Sequence, residues 1–246
     1  MLLTNQKYIG DAKFQKILTK VNCGLDIYNM RSMISGYIWG LDLVMPAKVI
    51  EFIPFEMIDG DESKSGPQSE EEYIEFFSSF MALWNQFATN NTKKVRKIRP
   101  LPKDILNPNE VLKDVMKLNN DVSMFMEAME NTNTIDSIGI DNFDIKMIFI
   151  DLDQVIYELD DIIMKSINKS NLTNNDHKKL IDAFCVNRFR WSEAYHILGK
   201  ALKEFREDFY QKDDFDDPII ESVKTIRPKP NKENFGSLSV VPPPTN

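Results

Sequence analysis

Between Ile145 and Ile167, apolar side chains recur at Ile145, Ile148, Phe149, Leu152, Val155, Ile156, Leu159, Ile162, Ile163 and Ile167. Steps of three and four keep them on one side of an α-helix, whereas a strand would alternate with period two. A long helix from about Asn142 to Ile167 is therefore predicted. The same spacing recurs nearly everywhere else in the chain, which predicts an all-α fold: a single multihelical, bundle-like domain over residues 1–217 with a flexible, Pro-containing carboxyl-terminal tail over 218–246.

The long run passes through Ile148-Phe149-Ile150-Asp151-Leu152-Asp153-Gln154-Val155-Ile156-Tyr157. These residues resemble the nucleophile strand of haloacid-dehalogenase-like phosphatases, in which the first Asp takes up a phosphoryl group and the second acts as acid and base. The resemblance implies a Mg-dependent phosphohydrolase using Asp151 and Asp153. The flexible Gly- or Thr-rich loop that should follow such a strand is missing, and strands do not alternate with helices along the chain. On a helix, Asp151, Gln154, Glu158 and Asp161 lie off the apolar stripe as a solvated face. The helical reading is preferred, with the phosphohydrolase kept as the alternative.

The other helices are marked by caps and stripes. Phe14, Ile17, Leu18 and Val21 predict a short first helix; Met30, Met33, Ile34, Tyr37, Ile38 and Leu41 predict a second. Pro46 can open a third, since a first-turn proline loses no hydrogen bond, and Pro54 ends it. Ser69 with Glu72 reads as a capping box before the wide stripe from Tyr73 through Phe80 and Trp84 to Phe87. Asn107-Pro108 caps a helix running to about Met129, residues 131 to 141 read as a loop, and Thr173 caps one or two helices reaching about Gln211. The helical part thus divides into residues ~10–105 and ~107–212.

Charge and cysteine content narrow the function. Formal net charge is -8, so a general nucleic-acid-binding surface, which needs a positive field, is disfavoured. Cys23 and Cys185 form no Cys-x-x-Cys pair and no histidine cluster accompanies them, so no zinc site or disulfide framework is implied. No cofactor and no catalytic residue is expected. The amino terminus lacks a signal-peptide pattern and no apolar run reaches membrane-span length; a cytoplasmic protein without membrane insertion is expected. Gly36 and Gly40, four apart on an apolar helix, predict close approach of a neighbouring helix. Asn85, between Trp84 and Gln86, reads as a buried hydrogen-bonding anchor.

A second resemblance covers residues 25 to 102. Leu25, then Met33-Ile34-Ser35-Gly36-Tyr37-Ile38-Trp39-Gly40, then Pro46 with Val49-Ile50-Glu51-Phe52-Ile53, then Phe80-Met81-Ala82-Leu83-Trp84-Asn85-Gln86-Phe87, and finally Arg99-Pro100-Leu101 follow an order and spacing that resembles the YecA/YgfB family of all-helical bacterial proteins. Ser32 or Met33 stands where the family has a histidine, and the Cys-rich zinc-binding segment of longer members has no counterpart, so metal binding is not carried over. The resemblance implies an all-helical fold with a regulatory or protein-interaction role and no reaction.

Two segments carry the features of partner contacts. Residues 93 to 103 hold six cations, Lys93, Lys94, Arg96, Lys97, Arg99 and Lys103, which form a basic connector on an acidic protein. The tail offers Arg227-Pro228-Lys229-Pro230 and Pro242-Pro243-Pro244, suited to docking in an extended form. The expected function is a non-enzymatic protein-interaction protein, a regulator or an accessory or adaptor subunit of a larger bacterial assembly, with candidate contacts Lys93, Lys94, Arg96, Lys97, Arg99, Arg227, Pro228, Pro230, Pro242, Pro243 and Pro244. The expected partner is another protein. A nucleic-acid-associated regulator acting through loop 93–103 is a further alternative, weakened because no aromatics interleave with the cations for base stacking.

Overall fold

Most helix starts are set by local chemistry. In the computed structural model, which describes residues 7–56, 66–89, 95–169 and 171–212, α1 spans Asp11–Lys20, α2 Ile27–Trp39, α3 Pro46–Ile50 and α4 Glu70–Thr89. They are followed by α5 Pro108–Asn131, α6 Thr134–Ser137, a 3-10 turn Ile140–Asn142, α7 Phe143–Ile167 and α8 Asn174–Lys212. Pro46 and Pro108 stand at first-turn positions, where the missing N–H is no loss. Ser69 Oγ accepts from Glu72 N at 3.2 Å, and the Glu72 carboxylate reaches one residue further back to Gln68 N. Thr173 and Asp176 form the reciprocal arrangement at the start of α8, satisfying amides that have no partner inside the helix.

The expectation of an all-α fold holds: no strand occurs among the described residues, and the single bridge pairs Cys23 with Phe55. The 131–141 segment is not the loop that the sequence suggested. Asn133 adopts a left-handed backbone, φ 52°, and the turn it makes lets α6 and the 3-10 turn form before α7; elements this short carry too few apolar positions to show a period. From Thr173 the chain makes one helix, not two. The predicted tail, 218–246, lies outside the described residues. Two units are distinguished, Met1–Arg206 and Glu207–Asn246; the described residues of the second are 207–212, all helical.

Within the first unit α2 is the central element. Its buried side chains point in every direction, from Ile27, Met30 and Met33 to Ser35, Tyr37 and Trp39, so α5, α4 and α1 all pack against it. The closest approach is to α5. A Cβ on Gly36 would lie 2.5 Å from Ala128 Cβ, and one on Gly40 would lie 2.1 Å from Thr132 Oγ1, so both glycines serve the packing role their spacing predicted. α5 in turn packs on α7. An aromatic cluster closes the core: the Trp39 ring centroid lies 5.9 Å from Phe125 and 5.0 Å from Tyr195, and Trp191 lies 4.6 Å from Tyr195. Each such side chain contributes on the order of 1.5–3 kcal/mol through burial.

Candidate functional site

The connector after α4 carries four described cations; Lys103 is exposed, and the other three meet the chain itself. Arg96 Nη1 donates to the His196 carbonyl at 2.7 Å, with its guanidinium 5.9 Å from the Trp39 ring centroid. Lys97 Nζ lies 2.6 Å from Asp11 Oδ2 and is half-exposed. Arg99 is 5% exposed and is held by two carboxylates. Its Nε and Nη2 donate to Asp121 of α5 at 2.8 Å each, while Nη1 and Nη2 donate to Asp26, the N-cap of α2, at 2.6 and 2.9 Å. The other predicted contacts, Lys93, Lys94, Arg227, Pro228, Pro230, Pro242, Pro243 and Pro244, lie outside the described residues.

The electrostatics at Arg99 follow from one guanidinium serving two carboxylates. Burial opposes ionisation of Arg99, but the hydrogen bonds it donates to Asp26 and the charge of Asp121 outweigh it and raise its pKa. Asp26 is also penalised by burial, yet Arg99 and two backbone amides of α2 hold it below the ordinary carboxylate range. Asp121 is 1% exposed; there burial wins over the pull of Arg99 and pushes its pKa up to about 7. Asn29 Nδ2 completes the cluster by donating to Asp121 at 2.6 Å. Asn29, 2% exposed, is thus a buried amide anchor of the core, whereas Asn85, expected in that role, is only half-buried.

Beside α1 lies a cavity of about 380 Å³ lined by Tyr8, Asp11, Arg31, Gln86, Thr89 and Lys97. Asp11 is engaged from three sides, by Tyr8 Oη, by Arg31 Nη2 and by Lys97. Burial resists its ionisation, but the two cations prevail and lower its pKa. Burial, then Asp11, raise that of Tyr8. Neither group is tuned toward neutrality, where a proton-transfer catalyst works best, so the cluster reads as a clamp from α1 to α2 and the connector.

Asp151 and Asp153 sit in α7. Two residues apart on a helix, their side chains diverge by about 200°, so they do not converge on one phosphoryl group as they would on one face of a strand. Asp151 is instead bound by Arg190 of α8, Nη2 to Oδ1 at 2.6 Å, and the same guanidinium reaches Glu158 at 2.8 Å. The face expected to be solvated is partly an ion-paired seam. His196 Nδ1 lies 2.7 Å from the Ser192 carbonyl and His177 Nε2 2.7 Å from the Ile105 carbonyl.

The outer side of α7 was not singled out from sequence. Its inner side buries Phe149, Leu152, Val155 and Leu159. Facing away from them, Phe143, Met147, Ile150, Tyr157 and Met164 are exposed by 60, 44, 50, 68 and 59%. Scattered exposed apolar residues are ordinary, but five along one face of one helix, broken only by Gln154 and Asp161, are not. The signal was in the sequence as a second series, stepping by four and three, opposite the first. On α8, Val186 and Ile197 are also exposed, and their spacing from Arg190 places them on the side of that helix that meets α7.

No group of His, Cys, Asp and Glu among the described residues is arranged to hold a metal ion, and no helix among them is long and apolar enough to cross a membrane. Comparisons with protein families, with curated proteins and with solved structures find no match to this chain.

Proposed function

We propose that this chain is a non-enzymatic protein-interaction protein, a regulator or an accessory subunit of a larger cytoplasmic assembly, and that it is YecA/YgfB-like over residues 25 to 102. The observation that carries the interaction role is the exposed row from Phe143 to Met164. A helix already anchored by a full apolar stripe gains nothing within its own fold from a second one in water, whereas a partner that covers it gains the burial. The YecA/YgfB-like part is supported by Gly36 and Gly40, which make the α2–α5 contact, and by Pro46, which opens α3. The phosphohydrolase reading loses its geometry once Asp151 and Asp153 lie on a helix.

The test is purification of the full chain from its native cells at endogenous level, followed by size-exclusion chromatography and mass spectrometry. A stoichiometric protein partner that co-elutes is expected. Elution of the chain alone at its monomer size, under several salt conditions, overturns the reading.

A further inference from the structure

We infer that the outer face of α7 receives one α-helix from a partner protein, an amphipathic helix whose apolar seam is bordered by Lys and Arg. The inference rests on the interaction role proposed above and specifies its site and its partner's chemistry. Phe143, Met147, Ile150, Tyr157 and Met164 fall at alternate steps of four and three along α7, with Gln154 and Asp161 completing the series. That step pattern is the seam of a left-handed helix pair, since it keeps side chains of one helix facing a second over many turns. A strand or a loop has no reason to match it. The exposed row spans nearly the whole of α7, a helix of 25 residues, so the complementary element is a helix of similar length.

Charge at the borders of the seam selects the partner. One border carries Asp144, Asp151, Glu158 and Lys165; the other carries Lys146, Asp153, Asp160 and Ile167. Acids predominate on both. Arg190 answers Asp151 and Glu158 from within the fold, and Lys165 answers Asp161 on the seam itself at 2.6 Å. Asp144, Asp153 and Asp160 remain exposed with their charges toward solvent, the last accepting a hydrogen bond from neutral Asn119. In a second copy of α7 laid parallel on this face, Lys146 and Lys165 would meet Asp151 and Asp160 while Asp153 met Glu158, so two surfaces of the same net negative charge gain less than a basic helix does. A helix with basic borders is attracted. Gln154 and Asp161 are polar positions within the seam, held in α7 by Glu158 at 3.0 Å and Lys165 at 2.6 Å, and they bias its register toward a partner that presents a hydrogen-bonding or cationic group at those heights.

Binding of designed helical peptides to the full chain tests this. The probe is a heptad peptide as long as α7, with Leu and Ile on its seam, Lys on both borders and Lys opposite Gln154 and Asp161; a matched peptide carries Glu in place of Lys. The Lys peptide is expected to bind, with the Glu peptide at least roughly tenfold weaker. The double substitution Ile150→Ser with Tyr157→Ser leaves charge unaltered and is expected to weaken the Lys peptide by roughly tenfold or more. Equal binding of both peptides, no binding of the Lys peptide, or unaltered binding to the doubly substituted chain overturns the inference. So does a concentration-dependent dimer in sedimentation that the double substitution abolishes, which makes a second copy the occupant. A photo-crosslinker placed at Ile150 in cells separates the two readings: a stoichiometric partner that crosslinks only from other faces removes this inference and leaves the interaction role standing.

Discussion

Gly36 of α2 stands so close to Ala128 of α5 that a Cβ there would lie 2.5 Å from the alanine Cβ and 2.9 Å from the Phe125 carbonyl oxygen. Real Cβ atoms do not approach that closely, and one of the two obstacles is backbone, which cannot rotate away. Gly36→Ala therefore must separate the helices. Although alanine favours helix over glycine, the overpacking dominates, and the variant is expected to lose roughly 1–3 kcal/mol in urea unfolding. A neutral or stabilised Gly36→Ala would show that α2 and α5 are less tightly apposed.

Removing Arg99 takes away the cation that pulls the enclosed Asp121 down, so burial drives that carboxyl toward its protonated form and leaves it without its main partner. Arg99→Ala is expected to cost roughly 1–3 kcal/mol, the scale of leaving buried polar groups unsatisfied. Chemical denaturation at neutral pH checks it, and a cost below about 1 kcal/mol, the scale of a surface pair, would be inconsistent with the network.

The same cluster makes stability depend on pH. Asp121, raised to about 7 in the folded protein, binds its proton more tightly folded than unfolded. Its contribution is present in full below the ordinary carboxylate range and is lost as pH rises through about 7. Asp26, lowered, contributes above that range and loses its contribution only in stronger acid. Between these limits the Asp121 effect is alone, so the melting temperature should climb as pH falls from about 8 toward 5, and Asp121→Asn should flatten that slope while lowering stability overall.

Arg190 joins α7 to α8 through partly exposed carboxylates, with side-chain exposures of 23, 47 and 39% for Arg190, Asp151 and Glu158. Solvent screens such contacts. Arg190→Ala is expected to cost about 1 kcal/mol at low salt and less at high salt, with the circular dichroism still strongly helical. Asp151→Asn should likewise leave the helical spectrum intact, as expected of a carboxylate on a helix surface.

Thiol chemistry distinguishes the two cysteines. Cys185 is exposed and Cys23 is not; burial, against a backbone hydrogen bond, pushes the Cys23 thiol up to about 11. Since the thiolate is the reactive form, a maleimide at pH 7.5 should label Cys185 rapidly and Cys23 only on unfolding. Equal labelling rates in the native protein would contradict the partial burial of Cys23.

Local features of the fold were legible in the sequence because their causes are local. Pro46, Ser69, Asn107-Pro108 and Thr173 announce helix starts from neighbours within one turn, and the Gly36–Gly40 spacing announces a close helix contact. The Arg99 cluster was not legible. Its partners lie 73 and 22 residues away, and a run of cations read along the chain looks like a solvated basic patch even where the fold draws Arg96 and Arg99 onto its own groups. The outer row of α7 was concealed differently: Ile148, Ile156 and Ile162 widen the core stripe toward its edges, and a helix read for one apolar side does not display its second.

The enclosure of α2 sets the order in which this protein can mature. Trp39 is covered by Tyr195 of α8, and Arg206 Nη1 donates to the Ile38 carbonyl across 168 residues of chain. During synthesis, which delivers the amino-terminal half first, α2 leaves the ribosome long before the segments that bury it. α5 can cover one side once residue 131 has been made, but the side that meets α8 must wait bare until almost the whole described chain has been made. A nascent chain in that state is a ready client for chaperones, and truncations that remove α8 should yield aggregates in place of a smaller folded protein.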